Sequence, residues 1–432
     1  MTLGQRIKTA RRARGMTQVE LGGSGLSPSY ISMIEHDQVS PSLATLRVLA
    51  DRLREPLSAF LDSPPAPADE ARALLARGES LLRQHRFAEA LEAFEAAGPA
   101  VGGTDDGRLR VRRALGSGQA LAGLRRFTEA EPMLATARDA AGELGDPELA
   151  GSCANALGFL AFRRRRFAEG RAIFQDGLDR LRKAGLSETD TAGKLLSNLG
   201  RVYVELGLPA QAMEFFRTAA GVLSAASDPA HRALLLFNMG VAAERQGSVA
   251  QAQAYLRQAE ELLRLQENQR LLGLVKRSLG ILRLEQGILD EAGDDLDESL
   301  RLARSTRDDE GTAQTLVELA RLRARRGEVD QARRAAREAA ELALQIHDDA
   351  ELARATAADA EALAAAGRLG AAARRYGEAI EAFERLGMMG DLIRASRDVG
   401  FVLLRARRHE AAARRFAHAF DLQSRATATR AT

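Results

Sequence analysis

The chain has 432 residues, 45% of them hydrophobic and 4% aromatic, and its 62 lysine and arginine residues against 59 acidic residues give a net charge of +3. Its single cysteine, Cys153, excludes a disulfide framework and a thiolate zinc site. The sequence shows no signal peptide and no apolar run long enough to cross a membrane, so we expect a cytoplasmic protein with no membrane partner.

The predicted elements begin with short helices. A first helix, ending near Gly15, is indicated by apolar residues at helical spacing: Leu3, Ile7 and Ala10. Thr17 with Glu20 three residues later predicts a capping box that opens a second helix. The glycine-rich run 22–25 ends that helix.

A third helix is predicted after Ser27, whose side chain can cap it, with Pro28 in the first turn. Its apolar stripe consists of Tyr30, Ile31 and Ile34, which leaves four residues facing outward: Pro28, Ser29, Ser32 and Met33. Ser40-Pro41 is predicted to start a fourth helix, and residues 57–61 to form a short fifth.

This arrangement of short helices resembles the XRE family of phage-repressor-like helix-turn-helix domains over residues 3–61. The specific motifs are Met16-Thr17-Gln18, the run from Ser29 to Glu35, and Ser40-Pro41-Ser42-Leu43. The resemblance implies a dimer on double-stranded DNA with the third helix in the major groove. By this resemblance Gln18 contacts phosphate, Arg11 pairs with Glu35 in the scaffold, and four residues face base edges: Pro28, Ser29, Ser32 and Met33.

The sequence departs from the family pattern in two places. The second helix is one residue shorter than usual and rich in glycine, and the outward face of the third helix lacks Gln, Asn and Arg. Since bidentate pairs from those residues supply about 1–3 kcal/mol of base discrimination each, serine readers imply modest direct readout, aided by DNA shape and water.

The excess positive charge lies in this segment. Residues 1–61 contain eight Lys/Arg and five acidic residues, whereas the remaining 54 of each sign balance. This small excess favours a DNA-binding dimer over a monomer. The alternative is a helical domain that only packs or dimerises.

We assign residues 1–62 to this domain and residues 63–68 to a proline-rich linker of extended, semi-rigid geometry. From residue 69 to 424 the chain repeats about nine times with a period near 40 residues. One position in this register holds glycine or alanine throughout: Gly78, Gly118, Gly158, Gly200, Gly240, Gly280, Ala320, Ala360 and Gly400. Small residues recur twelve positions later and mostly large apolar ones sixteen positions later, for example Ala212 and Phe216. This register resembles the tetratricopeptide (TPR) pattern in its longer-repeat form.

The fold class predicted is therefore all-α: a five-helix XRE-type domain followed by an α-solenoid of helical hairpins. Turns such as Gly145-Asp146-Pro147, Ser227-Asp228-Pro229, Arg307-Asp308-Asp309 and His347-Asp348-Asp349 separate the repeats. Residues 425–432 are predicted to be a frayed tail. Without a capping helix, Phe416 and Phe420 in the last repeat are expected to be exposed, and we hypothesise that this end contributes to a dimer interface.

The first helix of each hairpin lines the concave side in this family, which implies an effector groove. Its candidate residues are Asn155, Lys194, Asn198, Arg201, Asn238, Arg245, Arg277 and Arg321. Asparagine amides suit a peptide backbone and arginines suit a carboxylate. Two alternatives stay open: Asn198 and Asn238 bond only neighbouring backbone, and Phe159 and Phe162 belong to the core.

We find no enzyme signature and expect no catalytic residue, metal site or cofactor: the glycine run lacks the context of a phosphate loop, and the six histidines are scattered. An XRE domain followed by TPR repeats resembles the RNPP class of peptide-sensing regulators. This implies a transcriptional regulator whose TPR array binds a peptide or protein effector that modulates a homodimer. The alternative is a TPR interaction scaffold that the N-terminal domain only localises or dimerises.

Overall fold

The computed structural model describes residues 2–23, 25–60, 66–223, 229–265 and 268–431, and it contains helices and no strand in these ranges. Leu61, the linker residues 63–65 and the predicted turn residues Ser227 and Asp228 lie outside the described residues. The chain divides into two compact units, residues 1–133 and 134–432. The first unit contains the XRE-like helices, the first repeat and part of the second repeat.

The XRE-like segment has the predicted order of short helices. They are α1 (Leu3–Ala13), α2 (Gln18–Gly22), α3 (Pro28–Glu35), α4 (Leu43–Leu53) and a 3₁₀ turn (Leu57–Phe60). The predicted caps are confirmed: Thr17 and Glu20 form a capping box at α2, and the Ser27 hydroxyl accepts a hydrogen bond from the Tyr30 amide. Helix α4 starts later than predicted from Ser40-Pro41, because Ser42 is the residue whose hydroxyl accepts from the Thr45 amide at 3.1 Å.

The described remainder consists of nine consecutive pairs of helices. Their helices are α5 (Pro67–Arg83), α6 (Phe87–Gly102), α7 (Gly107–Gly123), α8 (Phe127–Glu143), α9 (Pro147–Arg163), α10 (Phe167–Lys183), α11 (Asp190–Glu205), α12 (Pro209–Val222), α13 (Pro229–Arg245), α14 (Val249–Leu265), α15 (Gln269–Glu285), α16 (Leu289–Ser305), α17 (Asp309–Arg325), α18 (Val329–Gln345), α19 (Asp349–Ala365), α20 (Leu369–Arg385), α21 (Met389–Arg405) and α22 (His409–Ala431). Helix α5 begins inside the predicted linker because Pro67 suits a first helical turn. Helix α22 runs through the tail predicted to be frayed.

Aspartates in the predicted turns cap the helices that follow them. Asp146, Asp308 and Asp348 each accept a hydrogen bond from a backbone amide in the first turn of α9, α17 and α19. The residue before each aspartate, such as Gly145 or His347, has a positive φ that ends the preceding helix. Turn chemistry therefore fixes the repeat boundaries.

The small residue of the register lies where two helices of one hairpin meet. A Cβ added at Gly200 would lie 2.5 Å from the ring of Phe216, which is fully buried. Gly158 has the same relation to Phe174, and Gly240 has it to Leu256. Glycine at these positions lets the large side chain lie directly on the helix backbone.

We expect Gly200→Ala to destabilise the array by about 1–3 kcal/mol, because the added methyl group overpacks against the buried Phe216 ring. In an open helix the same change stabilises by up to about 1 kcal/mol. Gly377→Ala is the matched control, since nothing lies within 4 Å of a Cβ built there. Thermal melting of both variants should shift in opposite directions, and a stabilised Gly200→Ala protein would contradict this packing.

In the second unit the first helices of successive hairpins contact one another from α9 to α21 and form one layer, called here the first-helix layer. The layer curves enough for distant repeats to meet: Arg163 Nη2 in α9 lies 3.1 Å from Glu310 Oε2 in α17. The face on which Arg163 and Glu310 meet is called the inner face below.

The last hairpin leaves aromatic surface uncovered. Phe420 is 73% exposed and Phe401 is 53% exposed, while Phe416 is partly buried with its ring centroid 5.1 Å from that of Phe401. The exposure predicted at Phe420 is confirmed, and Phe416 instead packs against Gly400. None of the described helices is apolar enough over a sufficient length to span a membrane.

Candidate DNA-binding and effector-binding surfaces

A buried ion pair joins α1 to the end of α3. Arg11 Nε and Nη2 donate to Glu35 Oε1 and Oε2 at 2.5 and 2.9 Å, and Arg11 Nη1 donates to the Met16 carbonyl at 2.7 Å. Burial by itself raises the pKa of Glu35, but hydrogen bonds from Arg11 and Gln18 outweigh it and hold that pKa below its ordinary value. The pair predicted as a scaffold therefore fixes the base of α3.

Gln18 is the first residue of α2, and its side-chain amide donates to Glu35 Oε2 at 2.9 Å. The residue predicted to contact phosphate is thus half-buried and held by the same carboxylate as Arg11. This contact fixes the N-terminus of α2 relative to α3.

The outward face of α3 is open. Pro28, Ser29 and Met33 are exposed and Ser32 is half-buried, while Ile31 and Ile34 pack in the core. All four predicted base-reading residues therefore share the solvent side of one helix. These side chains offer few hydrogen-bonding groups: two hydroxyls, together with a proline ring and a thioether.

Two polar residues support this segment in roles that sequence reasoning missed. Asp37, at a positive φ of 56°, accepts from the Gly4 amide at 2.9 Å and from the Thr2 hydroxyl at the start of α1. Arg52 in α4 donates to the carbonyls of Leu21 and Gly22 and so caps the C-terminus of the short α2. The glycine run is the only sequence signal for Arg52, because a Cβ at Gly23 would lie 3.0 Å from its guanidinium.

Three of the predicted groove residues are joined in one hydrogen-bond chain on the first-helix layer. Arg201 Nη1 donates to Asn198 Oδ1 at 3.2 Å, and Asn198 Nδ2 donates to Asn155 Oδ1 at 2.8 Å. The Arg201 guanidinium carbon lies 5.2 Å from the Phe159 ring centroid and 4.6 Å from that of Phe162. These five residues are called the Arg201 cradle below.

The other polar candidates in α11 and α13 lie outside this chain. Lys194 pairs with Asp190 on its own helix at 3.0 Å, and Arg245 is exposed at the end of α13. Asn238 is only 5% exposed, and its amide donates to Ser197 Oγ at 3.4 Å. The burial of Asn238 agrees with the alternative that it has a structural role and does not bind ligand. Its hydrogen-bond partner, however, is a side chain and not the backbone.

Arg277 and Arg321 lie near carboxylates of helices α17 and α19. Arg321 Nη1 donates to Glu318 Oε1 at 3.2 Å and its Nε lies 3.9 Å from Glu361 Oε2. Burial lowers the pKa of Arg321, but the charges of Glu318 and Glu361 outweigh burial and raise it. For Arg277, burial outweighs the opposing effect of Glu351 and other carboxylates, so that its pKa is lowered.

A cavity of 360 Å³ opens beside Arg321. Its lining carries both signs of charge together with aromatic surface, contributed mainly by Arg321, Glu361, Tyr376, Arg394, Asp398 and Phe401. A cavity of this volume is within the range that accommodates small ligands or side chains. Of these lining residues only Arg321 was predicted from the sequence. The acidic residues were not, because acidic residues on helices are usually solvated and only the stacking of repeats brings these ones inward.

The described residues contain no cluster of His, Cys, Asp and Glu with the geometry of a metal site. Cys153 is fully buried in α9, the first helix of the third repeat. Burial raises the pKa of its thiol to about 12, which keeps the thiol protonated.

Family comparisons match both parts of the chain. Residues 7–60 match the helix-turn-helix family and residues 200–431 match the MalT-like TPR region. The immunity repressor protein of Bacillus phage phi105 is 47% identical over 62 residues, which are 14% of this chain and 43% of the repressor. The chain therefore spans less than half the length of this curated relative.

Solved structures share the fold of the repeats at low sequence identity. A Rap protein complexed with Competence and Sporulation Factor superposes with a TM-score of 0.66 at 15% identity, covering 84% of this chain and all of that one. The apo form of the quorum sensor NprR from B. thuringiensis gives a TM-score of 0.54 at 16% identity, covering 82% and 99%.

Proposed function

The chain belongs to the family of MalT-like TPR regions and carries an XRE-type helix-turn-helix domain at its N-terminus, and from this premise we propose that it is a sequence-specific transcriptional regulator. Helix α3 reads the major groove, and the TPR array binds an effector that alters DNA binding. The effector is a peptide or a protein segment.

The observation that carries the DNA-binding part is the solvent face of α3. Ser29 and Ser32 lie on that face, and the buried Arg11–Glu35 pair holds the base of the helix. The similarity to a phage immunity repressor over this same segment supports a DNA-binding role. Two hydroxyls supply limited direct readout, so DNA shape and bridging water contribute to specificity.

A homodimer suits this chemistry, because the net charge of +3 gives a single copy weak attraction to phosphate. Two copies would place their α3 helices on half-sites about one helical turn apart. An effector changes such a dimer only if its affinities for two states of the protein differ, commonly by about 1–3 kcal/mol. The uncovered aromatic surface near Phe420 is a candidate for the contact between copies.

We expect the full-length protein to enrich a two-fold-symmetric site from random genomic fragments at physiological salt, and the Ser29→Ala/Ser32→Ala variant to enrich that site about tenfold less strongly. The variant should fold, because alanine is a better helix former than serine and neither serine is in the core. Sequencing of the bound fragments gives the result. If the variant enriches the same site to the same extent as the wild type, α3 is not the reader, and if neither enriches a site, the TPR scaffold function is favoured.

A further inference from the structure

The Arg201 cradle combines a cation, two rings and two amides on neighbouring helices. Phe159 and Phe162 of α9 are nearly parallel, with an interplanar angle of 11° and ring centroids 6.2 Å apart. Arg201 of α11 reaches both rings, so its guanidinium is packed against apolar surface instead of being surrounded by water. Such a cation–π arrangement holds the plane of the guanidinium in place.

The hydrogen bonds of the cradle have a fixed direction. A guanidinium only donates, so the side-chain atom of Asn198 that faces Arg201 must be its oxygen. The amide nitrogen of Asn198 then faces Asn155, whose oxygen must accept. The NH₂ group of Asn155 is therefore left to donate elsewhere. The hydrogen-bond chain thus ends in a donor on each side, the Arg201 guanidinium at one end and the Asn155 NH₂ group at the other.

Arg201 differs in its partners from three cations of the first-helix layer. Lys194, Arg163 and Arg321 each lie within 4.0 Å of a carboxylate oxygen. The only hydrogen bond of Arg201 in the described residues goes to the neutral Asn198. Burial lowers the pKa of Arg201 to about 10; the charge of Glu205 opposes this lowering and the charge of Arg163 adds to it.

A partly buried guanidinium without a directly contacting carboxylate is costly unless a ligand supplies one. A carboxylate matches the fork of an arginine and accepts from an amide NH₂ as well. We propose that the Arg201 cradle binds a carboxylate of the effector at the free guanidinium edge of Arg201, while the Asn155 amide donates to a neighbouring acceptor of the same effector. This inference rests on the proposed effector function of the array, and it narrows the effector to an acidic ligand.

The test uses the full-length protein and two pools of random heptapeptides, one with free C-terminal carboxylates and one with C-terminal amides. Peptides retained by the immobilised protein are identified by mass spectrometry. We expect retained peptides to be enriched at least tenfold in a carboxylate at one fixed position. A free terminus selected only in the first pool identifies the C-terminus as its source, whereas Asp or Glu at one position in both pools identifies a side chain.

Variants separate this site from general charge attraction. Arg201→Gln should abolish the enrichment, and Arg201→Lys, which keeps the charge without the planar fork, should retain part of it. Arg217→Gln is the matched control, because Arg217 is an exposed arginine on α12 of the same hairpin, outside the first-helix layer. Equal retention of acidic and neutral peptides, or no retention by the wild type, overturns the inference. Neither result affects the selection of genomic DNA fragments by α3. The proposed function as a DNA-binding regulator is therefore tested independently of this inference.

Discussion

Glu35→Ala is expected to unfold the XRE-like segment and to abolish DNA binding. The substitution leaves Arg11 buried without its carboxylate and also removes the acceptor for the Gln18 amide. Breaking a buried pair from one side typically costs about 3–5 kcal/mol. Hydrogen exchange in the full-length protein should show lost protection in α1 to α4 and unchanged protection in α9 to α21, since repeat proteins are stabilised locally.

The matched control is Glu55→Ala. Glu55 lies 3.4 Å from Arg14 in the same segment, but both side chains are substantially exposed, so we expect a change below about 0.5 kcal/mol. The Arg11–Glu35 pair also makes the stability of this segment depend on pH, because the pKa of Glu35 is lower in the folded state than in the unfolded chain. The contribution of the pair to stability is present above the ordinary glutamate pKa and is lost as the pH falls through the lowered value. Equal effects of the two alanine variants would show that the Arg11–Glu35 pair is not the support of α3.

Lys276→Met is expected to destabilise the hairpins of α14 to α16 by about 3–5 kcal/mol. Lys276 is only 7% exposed, and its Nζ lies 2.9 to 3.1 Å from carboxylate oxygens of Glu260, Asp295 and Glu298. Methionine keeps the volume of the stem but leaves these carboxylates facing one another with less compensating charge. Local hydrogen exchange in α14 to α16 measures the loss, and Arg304→Met, in an exposed pair with Glu338, is the control.

The pH dependence of Lys276→Met should differ from that of the wild type. In the wild type, burial raises the pKa of Glu260, but Lys276 and Arg264 outweigh burial and lower it, so this contribution is lost on acidification. Without Lys276 we expect the pKa of Glu260 to rise above its ordinary value, so that the fold binds protons more tightly than the unfolded chain. The variant should then recover stability between pH 7 and pH 5, and a deficit that grows over this range would contradict the role of Lys276.

Much of the fold could be predicted from the sequence because its signals are local or periodic. The Thr17–Glu20 capping box, the Ser27 cap and the aspartates before α9, α17 and α19 act within three or four residues. The glycine register with its period near 40 predicted the hairpins, because each glycine marks a backbone that a large side chain must approach. The start of α4 was predicted too early because Ser40 and Ser42 are equally good N-cap residues in the sequence.

The sites were less predictable because their partners are distant along the chain. The Arg163–Glu310 contact joins α9 to α17, and Arg52 caps α2 from α4, which no spacing rule indicates. Asn198 and Arg201 could be selected as groove residues from the family pattern. Their bonding order with Asn155, and the stacking on Phe159 and Phe162, depend on how α9 and α11 lie against each other.

The most direct test of the account is the ratio between the affinities of the full-length protein for a selected site and for unrelated DNA of the same length, measured by fluorescence anisotropy at physiological salt. Sequence-specific reading by α3 predicts a ratio of about 10³ or more. The Ser29→Ala/Ser32→Ala variant should lower the ratio about tenfold and leave affinity for unrelated DNA unchanged, because phosphate contacts carry no sequence information. A wild-type ratio near one would contradict the account.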